Sequence, residues 1–466
     1  MVFANLFFLC VFLPLNLILY FSTKNRAFRN AVLIFFSLFF YAWGEPVWVT
    51  LLIFSATIDY FHGLIIEKHR NDIGAKLALI SSLVLNLGLL GIFKYSGFFV
   101  ENISLITGLE LPVPKFSLPI GISFYTFQTL SYTIDVYRGS VKAQKSYMKF
   151  FMYVSLYTQL VAGPIVRYSD VALEVDNRQE NLEDIWSGTA RFLVGLTKKV
   201  FIANVAGQFA STYLSGDLTL QSTAGVWFGI LMFAIQIYYD FSGYSDMAIG
   251  LGRIFGFHFL ENFNYPYIAR SATEFWRRWH MSLGQFFRDY VYIPLGGNRK
   301  HQIFNLVVTW FLTGFWHGAS WNFIMWGLWF GILIIIEKLF LLKWLQKLPV
   351  ISHLYCLLAA VLGWVMFYFE DIGQLFTCFS VMFGAAGTGF WDVSLELTIL
   401  NNIFWIILAV AFCLPIVPAV KKFVEERPQL YMPAKLLQIP ANVVMLIINI
   451  SLLVGMSYNP FLYYKF

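Results

Sequence analysis

Residues 302–336 read QIFNLVVTWFLTGFWHGASWNFIMWGLWFGILIII, thirty-five positions without an aspartate, glutamate, lysine or arginine. As one helix at 1.5 Å per residue this stretch would run about 52 Å, well beyond the ~30 Å of hydrocarbon in a bilayer. It must therefore tilt, break or turn back. Gly314-Phe-Trp-His317-Gly318 is its weakest point, and two glycines four apart also let helices approach closely. The interval reads as membrane-embedded, with a histidine near its middle.

Working outward, the rest of the chain has the same character. Of its 466 residues 59% are hydrophobic, 19% aromatic and only 12% charged, against about 25% charged in a soluble domain. That polar surface is too small to wet several globules, so the chain is expected to be an all-α, polytopic protein surrounded by membrane lipids. Candidate spans lie near 1–21, 31–44, 47–66, 77–93, 118–136, 147–165, 188–209, 223–251, 303–336, 350–369, 400–419 and 440–457, of which about eleven are expected to cross. With no long polar interval and no repeat, residues 1–466 read as a single membrane domain. Met1–Phe21 lacks a basic start and a cleavage site, so it is expected to be retained as the first span. Basic residues gather in loops 22–30, 67–76 and 137–150, which places these loops in the cytoplasm and the N-terminus outside.

The net charge of +6 is spread along the chain, which argues against a nucleic-acid partner. Cys10, Cys356, Cys378 and Cys413 have no metal-ligand spacing, and no metal site is expected.

Residues 257–302 differ, with too many charges for a span. Ser271-Ala-Thr-Glu274 has capping-box spacing. Trp276, His280, Leu283 and Phe287 then recur at helical spacing, with Arg277, Arg278 and Arg288 off that face. An amphipathic helix at the bilayer surface, or re-entrant into it, is expected.

An imidazole at membrane depth is costly unless it is partnered or faces water, which makes His317 the first functional candidate. Its ordinary pKa of about 6.5 lets the neutral ring accept a proton from a hydroxyl. That suits a general base for acyl transfer, with Ser320 and Asn322 nearby and Asn322 a candidate oxyanion donor. His280 is the second candidate. Asp240 and Asp246, in Tyr238-Tyr-Asp-Phe-Ser-Gly-Tyr-Ser-Asp246, read either as a structural polar network or as the wall of a substrate path. His62 is expected to contact Asp59 locally. Metal-protease, P-loop and G-x-S-x-G patterns are absent from the sequence, so direct transfer between two bound substrates is favoured over an acyl-serine.

Phe275-Trp-Arg-Arg278-Trp-His280-Met-Ser-Leu, Tyr290-Val-Tyr-Ile-Pro-Leu-Gly-Gly-Asn-Arg299 and Trp316-His317-Gly318 together resemble the membrane-bound O-acyltransferase family. Pro119-Ile-Gly-Ile-Ser-Phe-Tyr-Thr-Phe-Gln128, Ala162-Gly-Pro-Ile-Val-Arg-Tyr168 and the Asp240 stretch occur in the family's order. The closest likeness is to its bacterial alginate O-acetyltransferase branch. The resemblance implies helices around a central tunnel in the inner (plasma) membrane, with His317 catalytic in the segment 303–341 and His280 the second motif histidine. Trp316, Arg278, Ser320, Asn322, Asp240 and Asp246 would then contribute to the tunnel or to substrate binding. It further implies a cytoplasmic acyl donor, acetyl-CoA or an acyl carrier protein, with no bound cofactor. An extracytoplasmic SGNH-type acetyltransferase partner would act on alginate, cellulose or peptidoglycan. D-alanyl transfer to teichoic acid, a transporter, and a scaffold for polysaccharide export are the alternatives. No role is assigned to residues 370–466.

Overall fold

The computed structural model describes residues 1–456, 459, 461 and 462. Every regular element among them is helical. Among the described residues seven helices are long and apolar enough to cross a membrane: Val49–Lys68, Ile73–Thr107, Thr223–Ile254, Trp321–Leu345, Pro349–Tyr368, Val393–Ala411 and Pro428–Gly455. Phe8–Phe21 and Ile372–Met382 are shorter apolar helices. The difference from about eleven arises where apolar stretches are interrupted or carry buried polar groups. Stretch 147–165 is divided between Tyr147–Ser155 and Tyr157–Leu160. Stretch 118–136 yields the 17-residue helix Ile122–Arg138, which buries Thr126, Gln128, Thr129 and Asp135.

The chain forms two compact units, Met1–Phe192 with Tyr244–Leu260, and Leu193–Gly243 with Glu261–Phe466. In the first, Asp59 is fully buried and its carboxylate is fully engaged. It accepts from Ser82 at 2.6 Å and Asn86 at 2.7 Å, and His62 Nδ1 lies 3.1 Å away, the local contact expected. These bonds tie Val49–Lys68 to its neighbour and remove the cost of a buried, unpaired acid. At one end of this unit the basic loops are joined by ion pairs. Arg29 reaches Glu180 at 2.8 Å and Lys149 reaches Asp176 at 2.7 Å, while Arg26 also binds Glu180 and Lys145 binds Glu67. The same pairing keeps Arg178 buried, stacked 5.0 Å over the Phe257 ring.

The second unit is built on aromatic packing around Tyr239, Phe275, Trp279, Trp326, Phe330 and Trp364. Val393–Ala411 and Pro428–Gly455 leave large apolar side chains exposed, such as Phe404 at 87% and Val454 at 70%. Surfaces of this kind are unfavourable in water and suit lipid contact.

The single amphipathic helix expected within 257–302 is replaced by two short ones. Ala272–Trp276 and Met281–Phe287 are separated by Arg277–His280, and His280 takes φ +42°, ψ 54°. A left-handed histidine costs about 1–2 kcal/mol, and Asn262 compensates for it. Its backbone carbonyl accepts from Met281 N–H at 2.9 Å. Its side-chain oxygen accepts from the Ser282 hydroxyl at 2.9 Å. The capping box forms in a modified way: Ser271 Oγ accepts from Glu274 N–H at 3.0 Å, while the Glu274 carboxylate accepts from the Arg270 amide. Buried Glu337 takes the Ala272 and Thr273 amides of the first turn at 2.5 and 2.9 Å.

Candidate active site

The charge-free interval turns back on itself. His317 ends the helix Gln302–His317, Ser320 precedes the helix Trp321–Ile336, and Gly318 between them is extended. The two arms of this hairpin touch because two glycines face across it. A Cβ on Gly314 would stand 2.3 Å from the Phe323 carbonyl oxygen, and one on Gly327 would stand 2.4 Å from that of Trp310. The loose point expected from sequence is therefore also a point of very close backbone packing.

The His317 ring is 5% exposed. It stands edge-on to Trp316 and Trp326, each 4.9 Å between centroids, and to Phe367 at 5.4 Å. A cavity of about 10 Å³ opens beside it, lined also by Asp240, Phe241, Trp279 and Trp364. That volume admits a single water-sized group. Such a site excludes bulk water and strengthens any electrostatic interaction within it.

Asp240 lines this cavity and is 1% exposed. Its Oδ1 lies 2.6 Å from Lys199 Nζ, and its Oδ2 accepts from the Leu462 amide at 2.9 Å. The buried carboxylate is thus paired, as its depth requires. Asp246, on the same helix, belongs to the other unit and forms an ion pair with Arg191 at 2.9 Å. The structure separates two acids that the sequence presents as one cluster.

His280 is 1% exposed and lies near His317 through intermediaries. Its ring is edge-on to Phe241 at 4.6 Å and 6.2 Å from that of Trp316. Its Nδ1 is 3.0 Å from Asn262 Oδ1. An amide oxygen only accepts, which puts the ring proton on Nδ1. Burial pushes the His280 pKa down, to about 3, so the ring is neutral.

The remaining candidates divide. Trp316 bridges the two histidines. Asn322 is fully buried and its Nδ2 donates to the Met366 carbonyl at 3.1 Å. Ser320 is the residue before the second arm, without a capping bond. Arg278 binds Glu274 at 2.9 Å and the Asn264 carbonyl at 3.1 Å, and lines a separate, wider cleft. Among the described residues no group of three or more His, Cys, Asp or Glu is placed to hold a metal ion. Sequence reasoning missed Lys199, Asn262, Trp326 and Phe367. Lys199 carried a signal, since a lysine inside the apolar stretch 188–209 needs a buried partner.

These features define a multi-span membrane protein with a polar centre sealed by aromatic rings. The chain matches a model of the membrane-bound O-acyltransferase family over residues 6–380 and belongs to that family. It is 40% identical over 403 residues to the probable alginate O-acetylase AlgI of Azotobacter vinelandii, covering 84% of this chain and 80% of that one. It is 33% identical over 436 residues to the peptidoglycan O-acetyltransferase of Helicobacter pylori, covering 84% and 81%. A further likeness, 28% over 254 residues, is to the teichoic acid D-alanyltransferase of Streptococcus thermophilus, covering 50% and 59%. The chain is an O-acyltransferase.

Proposed function

We propose that the chain takes an acetyl group from a cytoplasmic thioester, acetyl-CoA or an acetylated carrier protein, and passes it across the membrane. The group serves O-acetylation of an extracytoplasmic polysaccharide, of the alginate or cellulose type or peptidoglycan, through an SGNH-type partner. His317 acts as general base. A ring nitrogen of His317 accepts the acceptor hydroxyl proton as that oxygen forms the new C–O bond at the thioester carbonyl. Collapse of the tetrahedral adduct breaks the C–S bond, and the proton is delivered to the departing thiolate. Asp240, ion-paired with Lys199 and lining the same cavity, favours the imidazolium formed between these steps. His280 is a positioning residue that fixes Trp316 and Phe241 against the site.

The observation that carries this reading is the small, water-excluding cavity shared by His317 and Asp240. Acetyl transfer is preferred to D-alanyl transfer because the acetyltransferase relatives cover 84% of the chain and the D-alanyl relative 50%. The test is polymer O-acetylation in cells whose own copy is replaced by His317→Ala, with membrane levels of the protein matched. The expected result is loss of ester-linked acetate. Undiminished acetylation would remove His317 from the mechanism.

A further inference from the structure

The first unit, which contributes nothing to the His317 cavity, has a concave site of its own. It is a cavity of about 380 Å³ lined by exposed Arg70, Lys76 and Tyr137 and by buried Ile66 and Ala75, a size that suits a small ligand. It lies where the helix Val49–Lys68 has ended and the next membrane-crossing helix begins at Ile73. Asn71 makes the turn between them with φ 69°, a left-handed conformation that asparagine tolerates better than most side chains.

The cations of this cavity are not matched by acids. Arg70 donates from Nη2 to the Val136 carbonyl at 3.5 Å, a long contact with an uncharged group. Among the described residues neither Arg70 nor Lys76 forms an ion pair. Glu67, whose charge Arg70 also feels, is bound by Lys145. Asp72 lines the cavity as well, but its Oδ1 accepts from the Ile73 amide at 2.7 Å and its Oδ2 faces His69 Nδ1 at 3.6 Å. Two cations against one acid leave the lining net positive. Most of the guanidinium donors and the whole Lys76 ammonium remain for a ligand.

The surface that continues from the cavity is apolar. Ile73, Leu77, Ile80, Val84 and Leu87 are exposed. They recur at i, i+4, i+7, i+11 and i+14, one stripe of the helix that starts at the cavity. In a bilayer such a stripe faces acyl chains, and cations at the end of a span stand at headgroup depth. Snorkelling alone requires no cavity, whereas here both cations border one.

We infer that this cavity holds the headgroup of an anionic glycerophospholipid. Arg70 and Lys76 bind the phosphate oxygens, and the acyl chains run along the Ile73–Leu87 stripe. A soluble phosphate compound offers the same anion but leaves the stripe unused.

The test is native mass spectrometry of the full chain in detergent micelles with three probes: dioleoylphosphatidylglycerol, dioleoylphosphatidylcholine and glycerol phosphate. The wild type is expected to retain phosphatidylglycerol about tenfold more tightly than phosphatidylcholine. Arg70→Gln/Lys76→Gln is expected to lose that preference. Lys24→Gln/Lys142→Gln removes as much charge from exposed positions outside the cavity and is expected to keep it. Leu77→Ala/Val84→Ala is expected to weaken phosphatidylglycerol by about threefold or more. Equal retention of the two lipids by the wild type, or equal loss in the two charge variants, overturns the assignment. Glycerol phosphate bound as tightly as the lipid, with the Leu77→Ala/Val84→Ala protein unaffected, would make the ligand a soluble phosphate and also overturns it. Because the lipid preference is read on the wild type, misfolding of a variant cannot mask a negative result.

Discussion

Lys199 Nζ and Asp240 Oδ1 lie 2.6 Å apart, with side chains 5% and 2% exposed, and Asp240 lines the cavity that His317 also lines. Two opposite charges in so dry a place hold each other there, and neither tolerates the loss of its partner. Lys199→Met is expected to destabilise the protein by roughly 3–5 kcal/mol, because it strands a buried carboxylate. Adding Asp240→Leu should return much of that loss while leaving transfer impaired. Thermal unfolding in detergent followed by tryptophan fluorescence reads the first effect. A double variant no more stable than Lys199→Met would show that the pair matters for something other than mutual neutralisation.

The hairpin makes an equally specific demand on its glycines. Gly314→Ala would push a methyl group to 2.3 Å from a backbone carbonyl, which cannot move aside as a flexible side chain would. An overpacking cost of about 1–3 kcal/mol is expected, with loss of transfer because His317 lies one helical turn beyond. Gly88→Ala is the contrasting case. A Cβ there meets nothing within 4 Å, and the helix should gain up to ~1 kcal/mol. Unfolding midpoints and O-acetylation measured on both variants check the contrast. Equal effects at the two positions would mean that close approach of the arms is not what Gly314 provides.

These two sites also show what the sequence could and could not reveal. The hairpin was legible because length, charge and glycine placement in residues 302–336 are local properties, and the turn falls at Gly318 as they require. The break at Arg277–His280 was not. Periodicity over Trp276, His280, Leu283 and Phe287 favours one continuous helix, and the bonds that interrupt it come from Asn262, outside the pattern. Asp240 and Asp246 form one cluster in sequence, yet their partners are Lys199 and Arg191, and the five residues between them pass from one unit to the other. Tertiary pairing of this kind leaves no periodic trace.

Asn262 is the support on which His280 depends. Asn262→Ala keeps the backbone bond to Met281 but removes the contacts to His280 and Ser282. A fall in kcat of about tenfold is expected, equivalent to one buried hydrogen bond of ~1.4 kcal/mol. The KM for the acyl donor should change little. Because burial pushes the His280 pKa down to about 3, the ring does not titrate in the working range. The pH–rate profile of His280→Gln should therefore keep its shape between about pH 5 and 9 and lose only height. A displaced limb would assign a titrating role to His280.

His258 provides a pH-dependent contribution to stability in the first unit. Its Nδ1 lies 2.7 Å from Glu174 and its Nε2 3.2 Å from Asp184, with the imidazole half exposed. Partial burial opposes the charged ring, but bonds to and the charges of Glu174 and Asp184 outweigh it and raise the pKa. A raised folded-state value means that the charged form stabilises the fold fully below the unfolded pKa of about 6.5. That contribution is lost as pH rises through the folded value. Exposure and salt screening limit it to a few tenths up to about 1 kcal/mol. The unfolding midpoint of the wild type should fall by about a degree or two between pH 6 and pH 9. His258→Gln should show little of this change, and high salt should shrink the difference between them. A variant whose midpoint tracks the wild type across that range would locate the titrating group elsewhere.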